Sequence, residues 1–159
     1  MKRPTLHASF LSNSRSDFES ISEYDQEVAK RGSENFDIFF RSESQEHDFN
    51  FPYQIGTFGD PPEQAKEFKI PLKEGDLVIL GTDGVFDNLY DFEILDVVEE
   101  YWKGGNFNGN ELADLISKKA FDNSQDHTFY SPFCRSKLEQ KGISCNGGKA
   151  DDITVALGR

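Results

Sequence analysis

The sequence predicts a mixed α+β domain, and two observations carry this prediction. Segments of β-forming residues occur at residues 36–40, 77–80 and 152–157. Between the last two, apolar residues recur twice at helical spacing. The chain of 159 residues is long enough for one domain with a core, and its 13% aromatic content is too high for a fully disordered chain.

The composition narrows the classes of partner. A formal net charge of −12 argues against nucleic acid and against docking on anionic membranes, because both are bound through Lys and Arg. No apolar run approaches the roughly 20 residues of a membrane span, and no signal peptide is visible. The two cysteines, Cys134 and Cys145, have no CxxC spacing and are too few for a disulfide scaffold. We therefore expect a reduced, intracellular protein.

The strands are predicted in this order. Residues 1–35 show no sustained period and are expected to be a tail or irregular approach segment. Order is expected from the aromatic strand at 36–40. Residues 66–72 alternate, but Pro71 restricts them to an edge or a strand end. The continuous apolar run at 77–80 indicates a strand that is buried on both faces.

Two helices and one more strand follow. The first helix is expected to be capped by Asp91 and to stop at Gly104, and the second to be capped by Asn110 and closed by Asp122. The last strand is expected at residues 152–157, because its apolar residues alternate.

One candidate for chemistry lies at the end of the central predicted strand. The strand delivers Asp83 to its C-terminal end, where an aspartate is partly desolvated and needs a partner to remain charged. A hard cation such as Mg²⁺ or Mn²⁺ is one such partner, and Gly84 lets the chain turn sharply beside it. An Asp-Gly turn that closes a hairpin explains the same string, and taken alone the string favours that reading.

The second candidate is the pair Asp151 and Asp152, which opens the last predicted strand. Successive residues of a strand point to opposite faces, so only one of the two carboxylates can face a given site. Solvated charges at a strand start are the alternative.

Together the two segments resemble the 2C-type metal-dependent serine/threonine protein phosphatases. T-D-G-V-F-D at residues 82–87 is similar to the D-G-x-x-D segment of that family, and A-D-D-I-T-V at 150–155 is similar to its last motif. The pattern R-S-x-x-Q-x-H-x-F-N-x-P-x-Q at 41–54 resembles the organelle-associated branch related to the T-cell-activation phosphatase. S-P-F at 131–133 and G-G-K at 147–149 also resemble that branch.

The resemblance implies a fold, a site and an activity. The fold is the C-terminal portion of a four-layer α/β/β/α sandwich with antiparallel sheets. Asp83 and Asp151 are the expected metal ligands, with supporting roles for Gly84, Asp87 and Asp152. The complete domain holds two Mg²⁺ or Mn²⁺ ions that activate a water to attack phosphoserine or phosphothreonine of a protein substrate, so no catalytic residue beyond the metal ligands is expected. The branch implies a mitochondrion or plastid, with the cytoplasm otherwise.

The sequence also departs from the family. It contains no D-G-x-x-G segment, which supplies the aspartate that bridges the metals, and no R-x-x-x-E-D segment. We therefore expect residues 36–159 to be the C-terminal part of a phosphatase domain whose N-terminal half is absent. A fragment, a truncated gene model and a degenerate paralogue all explain this.

Three other interpretations of the sequence differ in the class of protein they imply. A haloacid-dehalogenase-type phosphatase would need its nucleophilic aspartate at Gly81, and an EF-hand would need a D-x-[DN]-x-[DN]-G spacing that is missing. A catalytically dead half-domain that acts as a binding or regulatory module stays open. We expect His47 to form a structural hydrogen bond and not to act as a catalyst.

Overall fold

A four-stranded antiparallel sheet is the centre of the molecule. A computed structural model describes the backbone of Leu6–Ser12 and residues 36–159. The sheet has the order β2-β1-β5-β6, in which β1 is Leu6–Ser12, β2 is Asp37–Arg41, β5 is Leu77–Thr82 and β6 is Val155–Gly158. All its pairings are antiparallel. Strands β3 (Glu46–Asp48) and β4 (Phe51–Pro52) form a separate two-stranded hairpin.

Four helices accompany the strands in the described residues. They are α1 (Asp83–Phe86), α2 (Asp91–Trp102), α3 (Gly109–Gln125) and α4 (Pro132–Lys141). A 3₁₀ turn at Pro62–Gln64 lies in the loop after the hairpin. Mixed helices and antiparallel strands confirm the predicted α+β class.

The core lies between one face of the sheet and the helices. Leu77 and Ile79 of β5 are fully buried, whereas Val78 and Leu80 on the opposite face are half-buried. The prediction of a strand buried on both faces is therefore wrong for the described part of the chain. The helices cover one face with buried residues that share a helical stripe, namely Ile94, Leu95, Val98, Leu112, Ile116 and Ala120.

Both predicted helices are present, with different caps. The helix α2 begins at the predicted Asp91, but its N-cap is Tyr90, whose main-chain N–H donates to the Glu93 carboxylate at 3.0 Å. The helix α3 is capped by Asn108 and not by Asn110, because the Asn108 side chain accepts the Asn110 N–H at 3.1 Å.

Strand β1 corrects the expectation for the start of the chain. Leu6–Ser12 was expected to be tail or irregular, yet it pairs with β2 on one side and β5 on the other. The pairing partners are distant in sequence, so the local pattern did not reveal it. The rest of the expected tail lies outside the described residues.

Two strand predictions also change. Residues 66–72 form no strand, and Phe68 and Leu72 are 46% and 51% exposed, so the alternating face covers no core. The last strand begins at Val155, not at residue 152, although the Thr82 main-chain N–H still donates to the Thr154 carbonyl at 3.1 Å.

The segment after α3 contains an unpredicted helix and an unpredicted disulfide. Ser131 caps α4 by accepting the Cys134 N–H, and its hydroxyl donates to the Gly147 carbonyl at 2.9 Å. This contact brings the Cα atoms of Cys134 and Cys145 to 5.2 Å, and the two cysteines are bonded. The expectation of reduced cysteines is therefore wrong in this structure. None of the helices among the described residues combines the length and apolarity that a membrane crossing needs.

Candidate metal centre

The end of β5 and the start of β6 are joined through Thr82. The Thr82 hydroxyl donates to the Asp152 carbonyl at 2.7 Å and accepts the Thr154 N–H at 3.0 Å. Two segments about 70 residues apart in sequence are thereby held side by side at one rim of the sheet. The helix α1 starts at once after Thr82, so Asp83 is presented at this rim.

Gly84 permits this close approach. A Cβ atom at this position would lie 2.6 Å from the Asp152 carbonyl oxygen and 3.1 Å from the Asp151 Cβ. Any side chain here would push the two segments apart. Close packing therefore requires glycine at position 84, in addition to the turn expected from the sequence.

Three carboxylates converge at the rim. One oxygen from each of Asp83, Asp87 and Asp151 lies within 4.8 Å of the other two, and we call these residues the carboxylate cluster. Of the pair Asp151 and Asp152, only Asp151 contributes a carboxylate to the cluster, although both residues are exposed and precede β6. Asp152 contributes its main-chain carbonyl, which Thr82 binds.

The Lys149 ammonium lies among these carboxylates. Its Nζ is 2.5 Å from Asp87 Oδ2, 2.9 Å from Asp151 Oδ2 and 3.7 Å from Asp83 Oδ2. Burial works to lower the pKa of Lys149, but Asp87 and Asp151 outweigh it and raise that pKa well above its usual range. Lys149 is therefore charged at neutral pH.

The pKa of the Asp87 carboxyl reflects its burial and the charges close to it. Burial raises its pKa, Lys149 lowers it, and the neighbouring charges of Asp83 and Asp151 raise it again. The net direction is upward, so one ammonium does not fully offset the desolvation and mutual repulsion of the carboxylates.

Asn88 fixes the two sides of the site to each other. It is fully buried, and its Nδ2 donates to the carbonyls of Gly84 and Lys149, both at 2.8 Å. Its Oδ1 accepts the Lys149 N–H at 2.8 Å. The side chain of Asn123 donates in turn to the Asn88 carbonyl at 2.9 Å.

Sequence reasoning gave no role to Lys149 or Asn88. Lys149 ends the quoted motif G-G-K, and Asn88 directly follows T-D-G-V-F-D. The available signal was a cation two residues before the Asp151 pair in a sequence rich in acids. Its relation to Asp87, 62 residues away, is visible only in three dimensions.

The motif at residues 41–54 has structural contacts. Arg41 pairs with Asp91 and lies over the Phe86 ring, 5.0 Å from its centroid. His47 Nε2 lies 2.8 Å from Asp60 Oδ1, and its ring stacks on Tyr53 at 3.9 Å. The expected structural hydrogen bond of His47 is therefore present.

A groove opens beside the carboxylate cluster. It has a volume of about 430 Å³ and is lined by Asp83 and Asp87 at the rim and by Arg41, Phe133 and Arg135 along its length. A larger cavity of about 890 Å³ lies between α2 and α3, and no cluster carboxylate lines it. Of these two openings in the described part of the chain, the groove is the one that reaches cluster carboxylates, namely Asp83 and Asp87.

Comparisons with known proteins identify relatives of this chain. No model of a protein family matches the sequence. The chain is 40% identical over 120 residues to Probable protein phosphatase 2C 55 of Arabidopsis thaliana, a match that covers 74% of this chain and 25% of the relative. It is 37% identical over 130 residues to Protein phosphatase PTC7 homolog fig of Drosophila erecta, covering 76% and 41%.

A solved structure is also similar. The X-ray structure of the photosystem II phosphatase PBCP superposes with a TM-score of 0.72 at 26% sequence identity, covering 97% of this chain and 55% of that one. The chain spans about a quarter of the Arabidopsis relative's length and about two fifths of the Drosophila relative's.

Proposed function

Because the chain belongs to the 2C-type protein phosphatase family, we propose that it carries part of the machinery for metal-dependent hydrolysis of phosphoserine and phosphothreonine in proteins. The observation that supports this most is the carboxylate cluster, in which Asp83 and Asp151 meet at one rim although they lie 68 positions apart in the sequence (151 − 83). Residues 36–159 would then form the C-terminal part of the catalytic domain.

The donor set fits a hard divalent cation. Three carboxylates within 4.8 Å offer only oxygen ligands, which Mg²⁺ and Mn²⁺ prefer. Asp83 and Asp151 would hold the ion, and Asp87 would stabilise it from the side while Gly84 and the Asp152 carbonyl keep the two segments in contact. When bound, such ions lower the pKa of a bound water and offset charge on phosphoryl oxygens.

The groove is the proposed place for the phosphoprotein substrate. It leads directly to Asp83 and Asp87, and its aromatic and basic side chains can contact a peptide on either side of a phosphorylated residue. The branch that residues 41–54 resemble supports a mitochondrial or plastid location, with the cytoplasm as the alternative.

A binding module without catalysis is the second candidate. Asp83-Gly84 is the single Asp-Gly step in the sequence, so no D-G-x-x-G segment supplies the aspartate that bridges two metals. Such a module would keep the groove and the fold but would not hydrolyse a phosphoester.

Metal binding tests the site. Titration calorimetry with Mn²⁺ should show binding to the wild-type chain that Asp83→Asn and Asp151→Asn weaken by at least tenfold, because Asn keeps the shape but removes the charge. Asp152→Asn is the matched control and should bind like wild type, since its carboxylate is not part of the carboxylate cluster. Equal binding by all four proteins would contradict the assignment.

The melting temperature without metal separates a ligand from a turn residue. Asp83→Asn should leave it unchanged or slightly raised, because one of three crowded charges is removed. A structural aspartate would behave oppositely, since its loss typically costs about 1 kcal/mol.

Catalysis is tested separately. The chain alone should release little phosphate from a phosphothreonine peptide, because it lacks the bridging aspartate. Fused to the D-G-x-x-G-containing part of a relative, it should show Mn²⁺-dependent release that Asp83→Asn abolishes. A fusion that binds Mn²⁺ but never hydrolyses the peptide would favour the binding module.

A further inference from the structure

The Lys149 ammonium takes the position between carboxylates at which a cation is most strongly attracted. Its Nζ is within 4 Å of all three members of the carboxylate cluster, and two of these contacts are at hydrogen-bond distance. The lysine side chain is only 16% exposed. The ion pairs of Lys66, Lys118, Lys119 and Lys141 join these lysines to carboxylates outside the cluster.

The main chain of Lys149 is held in place. Asn88 binds both its N–H and its carbonyl at 2.8 Å. The preceding Gly148 donates its N–H to the Asp126 carbonyl at 2.9 Å, and a Cβ at Gly148 would lie 2.1 Å from the Asn123 carbonyl oxygen. The segment cannot shift as a whole, so only the flexible four-carbon stem of Lys149 can move its charge.

The ammonium and a divalent cation exclude each other at this point. Both are drawn to the same carboxylate oxygens, and two cations a few ångströms apart in a partly buried site repel strongly. The Phe133 ring, which lines the groove, already contacts the ammonium from beside the cluster, with its centroid 5.0 Å from Nζ.

We propose that Lys149 is a tethered competitor of the divalent cation: its ammonium neutralises the carboxylate cluster when no metal is bound, and metal binding must expel it. This rests on the proposed function, because it takes the cluster to be a metal site. Lys149 is thus a positioning residue that sets metal affinity, and the site holds either a built-in cation or a divalent one.

An ordinary structural ion pair would behave differently. If Lys149 only stabilised the fold, its replacement would lower the melting temperature equally with and without metal. A competitor gives a crossed result, because removing it destabilises the metal-free protein but increases the stabilisation that metal brings.

The experiment compares wild type with Lys149→Met, Lys149→Arg and Lys141→Met. Met keeps the apolar length without the charge, and Arg keeps the charge. Lys141 pairs with Asp48 outside the cluster and is the matched control. Mn²⁺ dissociation constants are measured by calorimetry, and melting temperatures in EDTA and in saturating Mn²⁺.

Lys149→Met should bind Mn²⁺ at least tenfold more tightly than wild type, melt lower in EDTA and gain more from Mn²⁺. Lys149→Arg and Lys141→Met should bind within about threefold of wild type. If wild type binds Mn²⁺ and Lys149→Met binds no more tightly, the competitor role is wrong and the metal site stands. If no protein in the series binds Mn²⁺, the proposed function fails and this inference fails with it.

A second measurement does not depend on how well a variant folds. In the wild-type chain, addition of diamagnetic Mg²⁺ should shift the ¹³Cε resonance of Lys149, which is assigned from its loss in Lys149→Arg. The Lys141 resonance should not move. A Lys149 resonance that stays in place while calorimetry shows Mg²⁺ binding would overturn the proposal.

Discussion

The carboxylate cluster and the hairpin region (residues 45–66) both place aspartates beside nitrogen atoms of basic side chains, with opposite effects on the pKa of the aspartate. In the hairpin region, Asp60 accepts the Gln54 N–H at 2.7 Å and contacts His47 at 2.8 Å, and these contacts lower the pKa of Asp60. In the cluster, burial and neighbouring acids raise the pKa of Asp87 despite Lys149. An acid whose carboxylate accepts hydrogen bonds from its own nearby donors has a structural role. Several crowded acids that share one ammonium favour the binding of a more highly charged cation.

The two regions also differ in how the chain assembles them. Apart from the ion pair between Asp48 and Lys141, the side-chain hydrogen bonds of the hairpin region join residues fewer than 25 positions apart. An example is Gln45, whose amide donates to the Gln64 carbonyl at 2.6 Å and accepts the Lys66 N–H at 3.1 Å. The cluster joins segments about 60–70 residues apart. Local contacts keep the first region in place, and tertiary contacts must hold the second.

The largest difference between the two regions is expected in the free energy of unfolding, when the side-chain amide that connects the segments of each region is replaced by Ala. Asn88→Ala leaves the Gly84 carbonyl and both main-chain groups of Lys149 without their partner in a buried place, so we expect the free energy of unfolding to fall by about 3–4 kcal/mol. Gln45→Ala removes two comparable bonds at the surface and should cost about 0.5–1 kcal/mol. Urea unfolding monitored by Trp102 fluorescence measures both.

Equal losses of unfolding free energy in the two variants would contradict this difference, because they would mean that the cluster depends on Asn88 no more than the hairpin region depends on Gln45. As a second readout, Asn88→Ala should weaken Mn²⁺ binding and Gln45→Ala should not.

The parts of the site that the sequence predicted are those encoded locally. The apolar run before Asp83 and the alternation after Asp152 each define a strand, so the two strand ends could be found without a structure. That they share a rim followed from the family resemblance, and the structure brings them together. Lys149 and Asn88 act across more than 60 residues, and no local pattern records such contacts.

The fold was predicted to a similar degree. Helix α2 follows a clear apolar stripe, whereas α4 has only Cys134 fully buried and therefore shows no usable period. Its ends were nevertheless marked, because Ser131-Pro132 is a typical N-terminus and Gly142, with φ +66°, is a typical C-terminal cap. Attention to caps as well as periodicity would have found it.

Loss of the disulfide should have the next largest effect on stability, and it should affect the cluster region but not the hairpin region. Cys145 lies four residues before Lys149, and its bond to Cys134 tethers that segment to α4. Closing a loop with a sequence separation of 11 should contribute about 2–3 kcal/mol. Reduction by dithiothreitol should therefore lower the melting temperature of the wild type and weaken its Mn²⁺ binding.

The double variant Cys134→Ser, Cys145→Ser is the control, because it should melt low from the start and not respond to dithiothreitol. The His47 ring resonances should be the same in oxidised and reduced protein, since the hairpin region lacks this tether. An unchanged wild-type melting temperature on reduction would show that the bond does not hold the segment.

The smallest expected effect is a pH dependence whose sign differs between the two regions. A carboxyl whose pKa is lowered by folding contributes stability above its ordinary value of 3.8 and loses it as the pH falls, which applies to Asp60. A carboxyl whose pKa is raised by folding contributes stability below 3.8 and loses it as the pH rises through the folded value, which applies to Asp87. Melting temperatures in EDTA between pH 3 and pH 6, for wild type, Asp60→Asn and Asp87→Asn, should show it. As the pH falls, the amount by which wild type melts above Asp60→Asn should shrink by roughly 1–3 °C. Over the same range, the melting temperature of wild type should rise relative to that of Asp87→Asn by roughly 1–3 °C. Two trends of the same sign would mean that the contacts of the cluster carboxylates offset their charge as well as those of Asp60 do. The electrostatic reason for placing a divalent cation at Asp83 and its neighbours would then be lost.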